Sequence, residues 1–242
     1  MTDASSSSAL PSGATIGILG GGQLGRMLSV AASRLGFKTH IFEPLANPPA
    51  GDVAHQVTTA GYDDSAALTA FAQSVDVITY EFENIPTSAL DLLESIAPVR
   101  PARRALAVSQ DRIIEKRFLN ELGLITAPWA VVTDAASLEA AMASVGTPAI
   151  LKTTRLGYDG KGQARIMAPD QAAEALASMA GATCVLEGFV DFTREISVIA
   201  ARGVTGEVAC YDPGENVHQN GILHTTTVPA QITEAQRTDA VL

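Results

Sequence analysis

The sequence has few of the residues that mark several common classes of protein. Its 242 residues include two cysteines, one tryptophan and four histidines, and 16 Lys and Arg stand against 26 Asp and Glu. Cys184 and Cys210 show no C-x-x-C spacing, which argues against a zinc site or a disulfide framework, and we expect both to be reduced and buried. The net charge of −10 repels phosphate backbones and anionic bilayers, so neither nucleic acid nor a membrane is an expected partner.

Long hydrophobic runs are also missing. None approaches the roughly 18 apolar residues that a membrane span needs, and the N-terminus has no basic segment followed by an apolar one, so a cytoplasmic protein is expected. Residues 1–13 are rich in serine and predict a disordered tail. Hydrophobic residues nevertheless make up 47% of the chain, which is enough for a globular core.

The alternation of short apolar runs with helical patterns predicts an α/β domain with a parallel sheet over residues 14–101. Pro98 and Pro101 interrupt this pattern, and an amphipathic helix is expected over 109–122. Residues 102–242 then predict an α+β domain. A helix beginning near Thr233 is still unfinished at the last residue, so we expect this second domain to be incomplete. The predicted strands are 15–19, 38–42, 54–58, 75–80, 130–132, 149–152, 163–167, 183–187, 195–201 and 207–211, and the other predicted helices are 23–35, 65–73, 135–145 and 169–179.

A glycine motif follows the first predicted strand. Gly20, Gly22 and Gly25 satisfy G-x-G-x-x-G between a strand and a helix, and Glu43 closes the next strand. Glycines permit a tight turn and the helix N-terminus offers free N–H groups, so the motif predicts an anion site that could serve a dinucleotide or another phosphorylated metabolite. A turn used only for close helix–strand packing is the alternative. Glu81, at the end of a later parallel strand, is expected in the same crevice.

A second glycine-rich segment follows Lys152. A lysine that closes a buried strand is costly unless it meets an anion, and the segment Gly157-Tyr158-Asp159-Gly160-Lys161-Gly162-Gln163 can lay backbone N–H groups over phosphate oxygens. It is not a Walker A loop, because Arg155 and Gly162 stand where that motif needs glycine and Ser or Thr. An ordinary hairpin is the alternative.

The next strand and its neighbours complete a predicted nucleotide slot between two sheets. The backbone of Glu187 to Val190 could pair with an adenine edge, with Phe189 as an apolar wall, and Glu195 lies within reach of a ribose. The polar, turn-rich segment 216–224 follows. His218 and His224 lack zinc-ligand spacing with Cys210, and a histidine that contacts phosphate is the better interpretation of this segment.

The order of these motifs resembles one enzyme family. The motifs resemble, in the same order, those of the N5-carboxyaminoimidazole ribonucleotide synthases, which are ATP-grasp enzymes of purine biosynthesis. In this chain they are GGGQLGRM, YEFENIP, QDRIIEK, ILKTTRLGYDGKGQ, VLEGFV, REIS and NVHQNGILHTT. The resemblance covers about residues 14–230. It implies an N-terminal domain like that of biotin carboxylase, then an ATP-grasp domain.

The resemblance also implies a reaction. ATP phosphorylates bicarbonate, and the activated carboxyl group passes to the amine of 5-aminoimidazole ribonucleotide, giving the carbamate, ADP and phosphate. The family is further implied to form homodimers and to need Mg²⁺.

Residue roles follow from the same resemblance. Catalysis is implied for Lys152, Tyr158 and Asp159, the last two facing the reacting amine. The ribonucleotide is implied to bind at Gly22, Gln23, Leu24 and Glu81. ATP is implied to bind at Arg112, Lys152, Gly157, Tyr158, Asp159, Gly160, Lys161, Gly162, Gln163, Glu187, Gly188, Phe189, Val190, Glu195 and His218. The carboxylates that hold Mg²⁺ in the family are expected beyond Leu242, so we expect this polypeptide alone to be nearly inactive and name no metal ligand within it.

Three other functions stay open. A nicotinamide-dependent oxidoreductase would explain Gly20 to Gly25 and Glu43, but not the lysine strand. A formate-dependent glycinamide ribonucleotide formyltransferase shares the glycine turn and the lysine, although Gly157-Tyr158-Asp159 favours the carboxylating enzyme. A non-catalytic protein could keep the ribonucleotide pocket without turnover.

Overall fold

A computed structural model describes residues 9–157, 161–219 and 221–241 of the chain. The chain divides into two compact units, with the division between Gly123 and Leu124. The predicted tail lies mostly outside the described residues. Its last residue, Gly13, is held, because its amide donates to the carbonyl oxygen of Gly36 at 2.8 Å.

The first unit is built on a four-stranded parallel sheet in the order β3-β2-β1-β4, which confirms the predicted α/β class. Helices follow the strands, and a 3-10 turn at Pro49–Asp52 precedes β3. The elements of this unit are β1 Thr15–Leu19, α1 Gln23–Arg34, β2 Lys38–Glu43, β3 Gln56–Thr59, α2 Ser65–Gln73, β4 Val77–Tyr80, α3 Thr87–Glu94, α4 Arg103–Ser109 and α5 Arg112–Glu121.

Apolar side chains of β1, β2 and β4 pack against α2 and α3. Phe42, Phe71, Ile78 and Leu90 are all at most 1% exposed and belong to one cluster. Burial of this apolar surface is the main stabilising contribution in a domain of this kind. Because β1, β2 and β4 pair in parallel, their carboxyl ends lie at one edge of the sheet.

The helices α4 and α5 belong to the first unit, although the sequence pattern places the domain change near residue 101. The side chain of Gln110, between these helices, is buried and its Nε2 donates to the carbonyl oxygens of Glu83 and Ile85 at 2.7 and 2.6 Å. Proline spacing signals an interruption of regular structure, but these tertiary contacts decide which unit a helix joins.

The second unit contains three sheets. The largest is antiparallel, in the order β5-β8-β6-β7, and its inner face packs on α6 and α7 through Val132, Leu138, Leu151 and Leu186. A three-stranded sheet β13-β12-β9 and the two-stranded pair β10-β11 complete it, which confirms the α+β class. The elements are β5 Trp129–Val132, α6 Ala135–Val145, β6 Ala149–Thr153, β7 Gln163–Ile166, α7 Ala172–Ser178, β8 Cys184–Gly188, β9 Glu195–Ser197, β10 Ala200–Arg202, β11 Val208–Cys210, β12 Gly214–Gln219, β13 Ile222–Thr227 and α8 Glu234–Val241, with a 3-10 turn at Pro169–Gln171.

Three details of this unit differ from the expectations. The polar, turn-rich segment 216–224, to which no strand was assigned, belongs to the β12–β13 hairpin, whose strands pair through cross-strand hydrogen bonds. The strand expected over 195–201 is two strands, β9 and β10. In addition, both thiols are free, but only Cys184 is buried, whereas Cys210 is exposed. In the described part of the chain, no helix combines the length and the apolar character that crossing a bilayer requires.

Candidate functional site

The glycine motif forms the turn between β1 and α1, and its glycines are required by close contacts. Gly20 has a φ of +104°, and a Cβ there would lie 2.8 Å from Oε1 of Glu81. A Cβ on Gly25 would lie 2.6 Å from the carbonyl oxygen of Gly20. Both distances are below van der Waals contact, so the chain can turn this tightly only without side chains here. The packing role raised as the alternative is therefore present, whatever the turn binds.

The carboxylate of Glu43 is part of this turn. Its Oε2 accepts from the amide of Gly21 at 2.7 Å, and its Oε1 accepts from the amide of Leu45 at 3.0 Å. A ribose hydroxyl would have to compete with these two backbone donors. The structure therefore gives Glu43 a structural role and does not support the dinucleotide interpretation.

Glu81 lies in the same crevice, as expected from the parallel strand order. Its Oε1 accepts from the amide of Gly22 at 3.1 Å. The next two amides of the turn, on Gln23 and Leu24, donate no hydrogen bond within the described part of the chain, as is usual for the first residues of a helix. The structure thus brings together all four residues that the sequence assigns to the ribonucleotide.

Arg112 is the first residue of α5 in the first unit. The residue before it, Asp111, caps the helix, since its Oδ1 accepts from the amides of Ile113 and Ile114 at 3.0 and 3.4 Å. This cap explains the sequence QDRIIEK locally, since an aspartate before the helix satisfies two unpaired amides. The other residues implied for ATP are in the second unit.

Lys152 and Glu187 form an ion pair in the main sheet of the second unit. They lie on the neighbouring strands β6 and β8, with the Nζ of Lys152 2.8 Å from Oε2 of Glu187. Their side chains are 23% and 12% exposed, so the pair is screened less by water than a surface pair. The anion that Lys152 was expected to meet is thus supplied, in this structure, by the protein itself.

The glycine-rich segment folds back onto the end of β6. The amide of Thr153 donates to the carbonyl oxygen of Gly162 at 2.8 Å. Gly162 has a φ of +64°, and a Cβ there would lie 2.6 Å from Oγ1 of Thr153, so glycine is required. Gln163 begins β7, and its Nε2 comes within 3.9 Å of where a Cβ on Gly221 would lie, in the turn of the β12–β13 hairpin.

Gly157 and Lys161 flank a stretch in which Tyr158, Asp159 and Gly160 lie outside the described residues. The assignments made to those three residues therefore stay predictions.

The end of β8 offers fewer backbone donors for an adenine than expected. The amide of Gly188 donates to the carbonyl oxygen of Pro128 at 2.8 Å, and that of Phe189 donates to Pro148 at 3.0 Å. The amide of Val190 has no such partner within the described residues. Phe189 and Val190 are 47% and 49% exposed, so they remain available as an apolar wall.

Glu195 and His218 lie together on one face of the three-stranded sheet. The Nδ1 of His218 is 3.5 Å from Oε1 of Glu195. Between them, and absent from the sequence-based site, is Asn216, whose Nδ2 donates to the same Oε1 at 3.2 Å. The alternation Asn216, His218 along one strand face was the signal that could have found it, but the segment has no apolar pattern to reveal a strand.

Metal ligands are the last element of the expected site. Within the described ranges, no group of three or more His, Cys, Asp or Glu side chains could hold a metal ion. We therefore name no Mg²⁺ ligand among the described residues and assign no step to the ion.

Comparison with known families shows the family of this chain. Residues 13–110 match the ribonucleotide synthetase preATP-grasp domain, and residues 117–242 match the ATP-grasp domain. The chain belongs to the ATP-grasp family. The second match covers both sheets that carry Lys152, Glu187 and Glu195, and so places these residues in an ATP-grasp domain.

Individual relatives show which enzymes of this family the chain is similar to. The chain is 55% identical over 237 residues to the N5-carboxyaminoimidazole ribonucleotide synthase of Brucella melitensis, covering 96% of this chain and 66% of the relative. It superposes on N5-carboxyaminoimidazole synthetase from Staphylococcus aureus complexed with ADP, with a TM-score of 0.90, 37% identity and coverages of 95% and 62%.

A third relative is N5-carboxyaminoimidazole synthase from Aspergillus clavatus in complex with ADP and 5-aminoimidazole ribonucleotide, with a TM-score of 0.85, 26% identity and coverages of 95% and 61%. The resemblance read from the motifs is confirmed. The chain spans less than two thirds of the length of these relatives.

Proposed function

We propose that this chain binds ATP and 5-aminoimidazole ribonucleotide and serves the ATP-dependent carboxylation of that ribonucleotide with bicarbonate in purine biosynthesis. The products are N5-carboxyaminoimidazole ribonucleotide, ADP and phosphate. The relatives' names and the ligands named for the Aspergillus protein support the substrates. We also propose that the protein works in the cytoplasm as a homodimer.

The observation that carries this proposal is the half-buried Lys152–Glu187 pair at the end of β6, beside the required Gly162. Bicarbonate is a poor electrophile until ATP converts one of its oxygens into a phosphate leaving group. Lys152 places a positive charge where the phosphates of ATP would lie against the glycine segment, and such a fixed charge is worth more in a site that excludes water. A bound phosphate would share or take over this lysine from Glu187.

The adenosine end of ATP is assigned to the other residues of the second unit. The amide of Val190 and the exposed ring of Phe189 suit the base, and the carboxylate of Glu195 suits the ribose hydroxyls. Tyr158 and Asp159 are proposed to face the reacting amine.

The turn of the first unit is assigned to the ribonucleotide. The unpaired amides of Gln23 and Leu24 at the start of α1 suit a phosphate, because a helix N-terminus favours negative charge. Glu81, already in the turn, can accept hydrogen bonds from hydroxyl or amine groups of the same ligand.

The test is calorimetric titration of ATP into the chain, comparing Lys152→Met with the matched variant Lys38→Met. Lys38 is an exposed strand lysine of the first unit. Loss of a charged hydrogen bond of about 1.5–3 kcal/mol predicts an affinity for ATP about 10- to 100-fold lower in Lys152→Met and unchanged in Lys38→Met. Equal affinities of the two variants, or no binding of ATP to the unaltered chain at millimolar concentration, would contradict the proposal.

The choice of ribonucleotide distinguishes the proposed function from the formyltransferase alternative. Titration with 5-aminoimidazole ribonucleotide and with glycinamide ribonucleotide should show binding of the first at micromolar to millimolar concentration and weaker binding of the second. Preference for glycinamide ribonucleotide would assign the chain to the formylating reaction instead.

A further inference from the structure

Asn216 occupies a special place in the second unit, because it lies in the central strand of the sheet β13-β12-β9. In the register of this sheet it is directly opposite Glu195 on one side and Thr226 on the other. Side chains directly opposite each other in neighbouring strands lie close enough to interact. One row of side chains therefore crosses all three strands, and Asn216 is its middle member.

The amide of Asn216 both accepts and donates hydrogen bonds in this row. The Oγ1 of Thr226 donates to Oδ1 of Asn216 at 2.9 Å, and the Oγ of Ser197 approaches the same oxygen at 3.4 Å. The Nδ2 of Asn216 then donates to Oε1 of Glu195 at 3.2 Å. The ionised carboxylate of Glu195 can only accept, so it fixes which end of the amide it meets, and the amide oxygen is left to accept from the two hydroxyls. The amide nitrogen is thereby turned toward Glu195.

This arrangement divides the two oxygens of Glu195 between different tasks. Oε1 accepts from Asn216 and faces His218, whereas Oε2 has no hydrogen-bond partner within the part of the chain that the structure describes. The side chain is 39% exposed, so Oε2 is open to a ligand. A carboxylate held through one oxygen presents the other in a fixed direction and loses less rotational freedom when a ligand binds.

We propose that Asn216 is a positioning residue for the nucleotide: it fixes the carboxylate of Glu195 so that Oε2 accepts from the ribose hydroxyls of ATP. This inference rests on the proposed function, in which Glu195 meets the ribose. Thr226 supports it by donating to the amide oxygen of Asn216.

The experiment measures the affinity for ATP and for 2′,3′-dideoxy-ATP, which lacks both ribose hydroxyls, in the unaltered chain and in variants. The unaltered chain should bind ATP about tenfold more tightly than the dideoxy nucleotide, the effect of one or two hydrogen bonds to a charged group. In Asn216→Asp, which places a second carboxylate against Glu195, and in the uncharged Asn216→Leu, this ratio should fall toward one. Thr226→Val should lower the ratio only partly, because it keeps the amide.

Two controls distinguish a positioning role of Asn216 from unfolding of the variants and from the effect of an added charge. Gln219→Glu adds the same charge as Asn216→Asp to the opposite face of β12 and should keep the ratio of the unaltered chain. Thermal unfolding of each variant checks that the sheet persists, and the affinity for the dideoxy nucleotide should stay constant.

The outcomes distinguish two failures. If the unaltered chain does not bind ATP, or does not distinguish it from the dideoxy nucleotide, the proposed function or its ribose contact is wrong, and the inference falls with it. If the unaltered chain distinguishes them and both Asn216 variants do so equally well, ATP binding stands but Asn216 does not position Glu195.

Discussion

Two rows of polar side chains join strands in this protein, one in each unit, and they differ mainly in burial. In the first unit, His40 of β2 is 1% exposed and links Ser74, after α2, to Thr58 of β3, with both of its ring nitrogens 2.8 Å from a hydroxyl oxygen. In the second unit, Asn216 links Thr226 to Glu195, which is 39% exposed.

Because of this difference in burial, the row through His40 contributes to stability, whereas the row through Asn216 can contribute to ligand binding. The hydroxyl of Ser74 donates to the carbonyl oxygen of Phe71 at 2.7 Å, so it can only accept from Nδ1 of His40. Nε2 of a neutral His40 then accepts from Thr58, and every group is satisfied without a ligand. The row through Asn216 ends on an oxygen of Glu195 that is still open. The row around buried His40 is complete in itself, whereas the row that ends on Glu195 has room for a ligand.

The largest expected effect concerns the protonation of His40. Burial, with a smaller contribution from His55, lowers its pKa from 6.5 to about 4. Because the unfolded chain then binds the proton more tightly, the stability that neutral His40 provides is complete above pH 6.5 and is lost as the pH falls toward 4. A pKa difference of about 2.5 corresponds to about 3 kcal/mol in the free energy of unfolding, measured by urea denaturation across this range.

The matched control for this titration is His40→Gln, which keeps hydrogen-bonding groups but cannot gain the charge. Its free energy of unfolding should change by about 3 kcal/mol less between pH 6.5 and pH 4 than that of the unaltered chain. Parallel pH curves for the two proteins would show that His40 does not carry the acid sensitivity.

In its burial, the Lys152–Glu187 pair is intermediate between the two rows, with side chains 23% and 12% exposed. Glu187→Gln removes the charge that Lys152 meets and should lower the free energy of unfolding by about 2 kcal/mol, since breaking such a pair leaves a poorly solvated charge. Millimolar ATP should restore part of this loss if its phosphates take the place of Glu187. A variant as stable as the unaltered chain would mean that the pair is effectively a surface pair.

Thr58→Val tests the buried row without changing a charge. It removes the hydroxyl that donates to Nε2 of His40 at 2.8 Å and should cost about 1–2 kcal/mol, the penalty for an unsatisfied buried group. Chemical denaturation at pH 7.5 measures it. The loss should persist or grow at low pH, because the protonated ring donates from Nε2 and the threonine oxygen is then its acceptor. A loss well below about 1 kcal/mol at either pH would argue against a hydrogen bond between these two groups.

Thr226→Val is the equivalent change in the exposed row and should have the smallest effect on stability. Water can replace the lost hydroxyl, so we expect a change within about 0.5 kcal/mol. If Thr226→Val destabilises the chain as much as Thr58→Val, the contrast in burial does not separate the two rows.

Most of the fold could be predicted from the sequence because its strands are apolar runs between glycine and proline signals. β1, whose last three residues are buried, and the strand before Glu81 were found in this way. The hairpin β12–β13 was not, because every residue of β13 is exposed and its strands carry no alternation of apolar and polar residues. The membership of α4 and α5 in the first unit depends on long-range contacts of Gln110, which no local pattern contains.

The candidate residues of the site could be proposed from the sequence, but most of their contacts could not. Residue types with distinctive chemistry, such as a lysine that ends a buried strand, stand out in the sequence as candidates. The partners of those residues do not, because Glu187 lies 35 positions from Lys152 and Asn216 lies 21 positions from Glu195. That Glu43 holds backbone amides, rather than a ribose, likewise required the geometry of the turn.

The contact between Glu81 and the amide of Gly22 has a consequence for ligand choice. An anion that binds at the neighbouring amides of Gln23 and Leu24 lies beside this carboxylate, and the two like charges repel each other. Inorganic phosphate can offset this repulsion only through a P–OH group, whereas a sugar phosphate also offers Glu81 the hydroxyl groups of its sugar. We therefore expect free phosphate to compete only weakly in a titration with ribonucleotide, and this turn to discriminate against the small anions that are abundant in any cell.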